Sequence, residues 1–201
     1  GKAVFGIMAT DPSPPVLEVL GYAGFDWVLL DNEHGDVTVH TMSNCGRACD
    51  ATGIVPIVRP ISGRMEVITP FMDMGAYGVQ VPHVNTAEEA KAVVDAVKYP
   101  PVGKRGFNSG LRINNFGMGL PGAEYVEAAN RETLVCLMIE EMEGIENAEA
   151  IANVDGVDVL FVGAGDLSVT MGYPGQNTHP NVVSAVEKAV ASTLRAGKYA
   201  G

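Results

Sequence analysis

Positive charge is in short supply. The chain carries 13 Lys and Arg against 24 Asp and Glu, a formal net charge of −11, and nowhere do the basic residues cluster. Binding a polyanion needs grouped Lys and Arg that displace its counterions, so no nucleic-acid partner is expected. Long apolar runs are missing as well. Hydrophobic residues make up 47% of the chain, yet no run approaches the roughly 18 residues of a membrane span, and no membrane partner is expected. No basic segment followed by an apolar one opens the sequence, which makes the cytoplasm the default location. Cysteine is scarce: Cys45, Cys49 and Cys136 are the only three. The first two have no second pair to complete a zinc site, so all three read as core or helix-surface thiols. No G-x-G-x-x-G follows the first apolar run, which argues against a dinucleotide site.

What is present is a rhythm. FGIMAT (from Phe5), WVLLDNE (from Trp27), VPIVRPI (from Val55), YGVQVPHV (from Tyr77), TLVCLMIE (from Thr133) and VDVLFVGAGDLS (from Val157) read as strands. They lack polar alternation, as strands buried on both faces of a parallel sheet do. Helical patterns separate them: PPVLEVLGYAG with Gly24 as its stop, the stretch from Thr38 to Gly53, MEVITPFMDMGA with Pro70 as an irregularity, and TAEEAKAVVDAVKY. In the last of these Thr86 precedes Glu89 at capping-box spacing. PGAEYVEAANRE, GIENAEAIANV and NVVSAVEKAVASTLRAG continue the series, and KYAG opens a seventh strand. Strand and helix in strict alternation leave an open doubly wound sheet or a closed barrel. The reading taken is α/β, a single (β/α)8 TIM-barrel domain over residues 1–201. A complete barrel runs to about 250 residues, so the last one to two βα units are expected to be absent from this chain. Between residues 100 and 120 lies an irregular stretch, RGFNSGLRINNFGMG, rich in Gly and Asn; loops of that size are usually functional.

The ionisable residues fall at strand ends. Asp31, Glu33 and His34 close the second strand, Arg59 the third, His83 the fourth and Glu140 the fifth, and Asp166 follows the sixth. In a barrel these ends meet on the face that carries the chemistry. Carboxylates from adjacent strands, Glu140 and Asp166, can share one divalent cation and leave positions open for substrate and water. All-oxygen ligation favours Mg2+ or Mn2+, with Co2+ or Zn2+ as further candidates. The plainer reading has Asp166 capping a DLSVTMG turn and Glu140 facing solvent. Arg59 has a planar fork suited to a carboxylate or an enolate oxygen; it would equally make a salt bridge to Asp31 or Glu33. His34 is a candidate acid or base. A lone His more often satisfies a hydrogen bond within the fold, and His83 takes that reading. His40 and His179 read as surface residues. The GAGD turn can offer backbone N–H groups to an anion.

Taken in order, FDWVLLDNEHG, PIVRP, MDMGA, YPPVGKRG, CLMIEEMEGIEN and FVGAGDLSVTMGYPG resemble the HpcH/HpaI aldolase family, the metal-dependent class II pyruvate aldolases, from about Phe5 to Gly201. The resemblance implies a (β/α)8 barrel with Glu140 and Asp166 as metal ligands. It implies that pyruvate chelates the metal through its carboxylate and keto oxygens, with the N–H groups of Gly165 and Asp166 on the carboxylate. It assigns Arg59 to the enolate oxygen and His34 to proton movement, with Asp73 pairing with His34, usually across a subunit boundary, and Asp31 supporting Arg59 or His34. Arg112, in the long loop, would reach the distal end of the substrate. Partners would be a small 2-oxo acid, an aldehyde and further copies of the chain, since family members are commonly hexameric. The chain departs from the family pattern at Met138, where many members have Gln, and at His83, where the usual residue is Met. It also departs in GAGDLS, which stands for G-P-A/S-D-L-S, and in the loop RGFNSGLRINNFG. These changes bear on the aldehyde partner. The leading expectation is a carbon–carbon lyase that reversibly cleaves a 4-hydroxy-2-oxo acid into pyruvate and an aldehyde. Alternatives are a related metal-enolate enzyme such as an oxaloacetate decarboxylase, and a barrel that binds or assembles without catalysis. A phosphate-binding isomerase would want a Gly-rich loop after strands seven and eight.

Overall fold

The computed structural model describes residues 3–11 and 13–201. Seven strands form one curled parallel sheet in which each strand pairs with its neighbour in sequence. They are β1 (Gly6–Ala9), β2 (Trp27–Asp31), β3 (Val55–Arg59), β4 (Gly78–Val81), β5 (Leu134–Ile139), β6 (Val159–Val162) and β7 (Tyr199–Ala200). Among the described residues β1 and β7 do not pair with each other, so the sheet is open between them. The expected strand-helix alternation is therefore present as a curled half-barrel sheet, and among the described residues the sheet does not close.

Helices α1 (Pro14–Tyr22), α2 (Val39–Thr52), α3 (Met65–Asp73), α4 (Ala87–Val97), α5 (Gly122–Glu132), α6 (Met142–Ala152), α7 (Ala164–Thr170) and α8 (Pro180–Arg195) connect the strands. Their boundaries follow local chemistry. Thr38 and Thr86 each close a capping box, with Thr41 and Glu89 respectively, which satisfies otherwise orphaned N–H groups. Gly53 ends α2 at φ +79°, a left-handed conformation that glycine adopts without steric cost. Pro70 does not break α3, which runs through it for nine residues. The DLSVTMG segment, expected as a turn, is instead the body of the seven-residue α7.

Strand residues alternate between two environments. Val28, Leu30, Val58, Val79, Leu137 and Leu160 join the core packed beneath the helices. The intervening Leu29, Ile57, Gln80 and Met138 are buried on the other, concave face. Asp31, Arg59 and Glu140 continue that second series at the strand ends, which is why they share a surface. All three cysteines are buried, and among the described residues none forms a disulfide. Burial pushes Cys49 and Cys136 up to about 12, so neither is a thiolate at neutral pH. Among the described residues no helix is long and apolar enough to cross a membrane.

Candidate active site

Asp31 and Arg59 are direct partners in the β2–β3 ladder, so the chain register alone sets them side by side. Arg59 donates from Nε to Asp31 Oδ1 at 2.9 Å and from Nη2 to Oδ2 at 2.7 Å. The backbone N–H groups of Glu33 and His34 add bonds of 3.1 and 3.3 Å to Oδ1. Burial raises the Asp31 carboxyl. The Arg59 hydrogen bonds and charge and the two backbone N–H groups outweigh it and hold the group below its ordinary value. The salt bridge anticipated as the plainer role of Arg59 is thus formed. It leaves the guanidinium aimed, with Glu33 Oε2 3.3 Å from its Nε.

Across the concave face stands Glu140, 2% exposed. The N–H of His83 donates to its Oε2 at 3.1 Å. Among the described residues nothing hydrogen-bonds its other oxygen, Oε1. A Cβ at Gly163 would run into this carboxylate, so glycine there keeps the space around it open. Burial raises the Glu140 carboxyl, His83 opposes this, and the negative charges of Asp166 and Glu33 raise it further, for a net upward shift. Asp166 lies in the first turn of α7 and is exposed. The N–H groups of Ala164, Gly165 and Asp166 have no acceptor among the described residues, as is usual for a first helical turn.

Two carboxylates of like charge, one buried with an unspent oxygen, fit a divalent cation: the cation would remove the repulsion and occupy the free acceptor. Among the described residues no group of three His, Cys, Asp or Glu side chains forms a ligand set. What the chain offers is the two-carboxylate arrangement, which leaves coordination positions for substrate and water.

The remaining expected residues distribute unevenly. His34 sits at the rim with its side chain 68% exposed and Nε2 3.9 Å from Glu33 Oε2. Asp73 ends α3 and accepts from Nη2 of the buried Arg105 at 2.7 Å; within the chain it makes no contact with His34 among the described residues. Arg112 is not brought to the cluster. It pairs with Asp50 near the end of α2 and packs over Gly46 and Gly75, beside the segments that lead into the starts of β3 and β4. The loop folds towards that end because the two glycines leave a slot for the guanidinium and Asp50 meets its charge.

Two residues outside the expected set stand in the centre. His83 has φ +54°, uncommon for a residue with a Cβ. Its Nδ1 is 3.6 Å from Glu140 Oε2 and 3.4 Å from Glu141 Oε1, and its Nε2 is 3.7 Å from Glu33 Oε1. Glu33 bridges Arg59, His34 and His83. The signal for both was positional, since each follows a strand end.

The family model described as HpcH/HpaI aldolase/citrate lyase matches residues 6–201. The chain belongs to the HpcH/HpaI aldolase/citrate lyase family. It is an enzyme of the lyase class. It is 40% identical to a pyruvate aldolase from Rhizobium etli over 100% of its own length and 78% of that protein. Among solved structures it superposes on an HpcH/HpaI aldolase from Desulfitobacterium hafniense with a TM-score of 0.93 at 30% identity, covering 100% of this chain and 77% of that one. It superposes on the citrate synthase SbnG with a TM-score of 0.90 at 34% identity, covering 99% and 76%. Relatives so named support an aldolase.

Proposed function

We propose that the chain is a metal-dependent aldolase that reversibly cleaves a 4-hydroxy-2-oxo acid into pyruvate and an aldehyde. The observation that carries this reading is the opposition, on one concave face, of an aimed guanidinium (Arg59) and a carboxylate pair with an unspent oxygen (Glu140 and Asp166). Glu140 and Asp166 would hold the divalent cation, Mg2+ or Mn2+ by their oxygen donors. When bound, the cation supplies Lewis acidity to the oxygens of a 2-oxo acid.

Arg59 faces developing negative charge on the keto oxygen. Its position is fixed in advance by Asp31, so no reorganisation is needed as charge builds. The unspent N–H groups of Gly165 and Asp166 suit the substrate carboxylate. His34, at the solvent rim, takes a proton from the pyruvate methyl group and returns it in the reverse direction. Carbon–carbon bond formation follows when the enolate carbon attacks the aldehyde carbon; the carbonyl electron pair moves to the aldehyde oxygen, which is then protonated. None of the strand ends carries a lysine for a Schiff base. Asp73 would serve His34 only from another copy of the chain, in a homo-oligomer. The kinship to a citrate synthase supports a second reading in which the same enolate site serves a different reaction, such as decarboxylation of oxaloacetate.

The test is proton NMR of pyruvate in D2O with Mn2+ or Mg2+ and then with EDTA. Metal-dependent loss of the methyl signal, abolished by Arg59→Ala, supports the reading. No exchange from folded, metal-supplied protein rejects it. Exchange without any aldehyde being accepted favours the decarboxylase.

A further inference from the structure

Residues 83 and 163 invert the usual use of glycine. His83 carries a side chain at φ +54°, a left-handed conformation that suits glycine. Gly163 has φ −78°, on the side of φ that any residue adopts, so its backbone does not call for glycine. The two flank Glu140 from neighbouring strand ends. The N–H of His83 donates to Oε2 at 3.1 Å, and a Cβ at Gly163 would stand 2.4 Å from Oε1. The carboxylate between them accounts for both exceptions.

The left-handed step at His83 frees its N–H. The β4–β5 ladder pairs Val81 with Leu137. Continued in that register, the Met138 carbonyl would accept from the N–H of residue 83. It accepts instead from Val84 at 3.1 Å, so the chain beyond β4 carries one extra residue, as in a β-bulge. That residue is His83, and its N–H turns out of the ladder onto Glu140. Its imidazole is half-exposed, and Nδ1 lies 3.6 Å from Oε2, beyond hydrogen-bond length.

Gly163 is held from the other side. Its N–H donates to the Ile139 carbonyl at 3.0 Å, and its own carbonyl accepts from Leu167 at 3.0 Å. With the backbone tied twice, an added Cβ would push the Glu140 side chain rather than the main chain. The oxygen it would displace is Oε1, the one without a hydrogen-bond partner among the described residues.

We propose that the bulge at His83 and the missing Cβ at Gly163 form a positioning device for the divalent cation. The first fixes Oε2; the second leaves Oε1 open beside the first turn of α7, which carries Asp166. The assignment rests on the metal reading given above. It makes the backbone of residue 83, not its imidazole, the operative group.

The test is Mn2+ binding to the full chain, followed by loss of the free Mn2+ EPR signal, with thermal unfolding of each metal-free variant alongside. Gly163→Ala should weaken binding about 10–100-fold, the scale on which partners of metal ligands act, while the metal-free protein still unfolds cooperatively. His83→Val, whose β-branched side chain resists a positive φ, should weaken it about tenfold. His83→Gly keeps the N–H and the left-handed backbone and should restore binding to within about twofold of wild type. Where His83→Val does not fold, Gly163→Ala and His83→Gly decide. Wild-type affinity in Gly163→Ala or in His83→Val removes that residue from the device and spares the metal reading. Binding lost in His83→Gly overturns the backbone role, because the imidazole is then the group that matters. No Mn2+ binding by the folded wild type overturns the metal reading and the device together.

Discussion

The two halves of the active-site rim handle charge in opposite ways. On the β2–β3 side Asp31 and Arg59 spend their hydrogen bonds on each other, and both carboxylate oxygens of Asp31 are occupied. On the β5–β6 side Glu140 is nearly as buried, yet one oxygen is unspent and its nearest charged neighbours on the same face include two further carboxylates. The closed half is saturated, and the open half has an acceptor to spare. The carboxyl shifts say the same: Asp31 is held down by its partners, whereas Glu140 is pushed up by burial and like charge. Burial alone does not reveal a functional carboxylate; what matters is whether its acceptors are already satisfied.

This contrast can be broken most sharply at Glu140. Glu140→Gln should lower metal-dependent pyruvate exchange by about a thousandfold. The melting temperature should hold or rise, because a buried charge without a cation is a cost to the fold. A large fall in melting temperature would place Glu140 in the structural class instead. Asp31→Asn should do the reverse in emphasis. Removing one partner of a buried ion pair costs about 3–5 kcal/mol, read from denaturant unfolding, with activity falling as Arg59 loses its anchor. Stability unchanged within error would show the pair to be dispensable.

Acid titration separates the halves more gently. The folded Asp31 carboxyl lies below its unfolded value of 3.8. Its contribution is complete above that value and is lost as pH falls through the folded one. Asp31→Asn should therefore flatten the stability profile below about pH 4 while leaving the neutral-pH slope alone. An unchanged acid limb would mean that other carboxylates dominate. The smallest expected effect concerns His83. At φ +54° a Cβ costs about 1–2 kcal/mol, so His83→Gly should be more stable than His83→Ala by about 1 kcal/mol in urea unfolding. Equal stabilities would mean that the backbone relaxes.

How much was legible beforehand depended on the range of the causes. Thr38, Gly53 and the Thr86–Glu89 box declare helix ends through contacts a few residues away, and these were readable. Asp31, Arg59 and Glu140 were readable because parallel topology carries successive strand ends to one face whatever the loops do. Arg112 was not: its course depends on Asp50 and on the slot left by Gly46 and Gly75, partners remote in sequence. Asp73 likewise meets Arg105, a contact that no spacing announces. His83 was discounted because a lone histidine carries no pattern of its own, and its importance comes from a backbone angle and three carboxylates supplied by other strands. The DLSVTMG segment forms a helix without any side-chain cap, so its start had no local marker.

The Asp31–Arg59 pair also has a meaning for assembly of the sheet. Because the two are ladder partners, a slip of β3 by one residue would send Arg59 to the opposite face, beside Val28 and Leu30 beneath the helices. Such a register would bury the guanidinium in apolar surroundings and leave Asp31 on the concave face without its partner. The ion pair that positions Arg59 thus also favours the native register of β3 against β2.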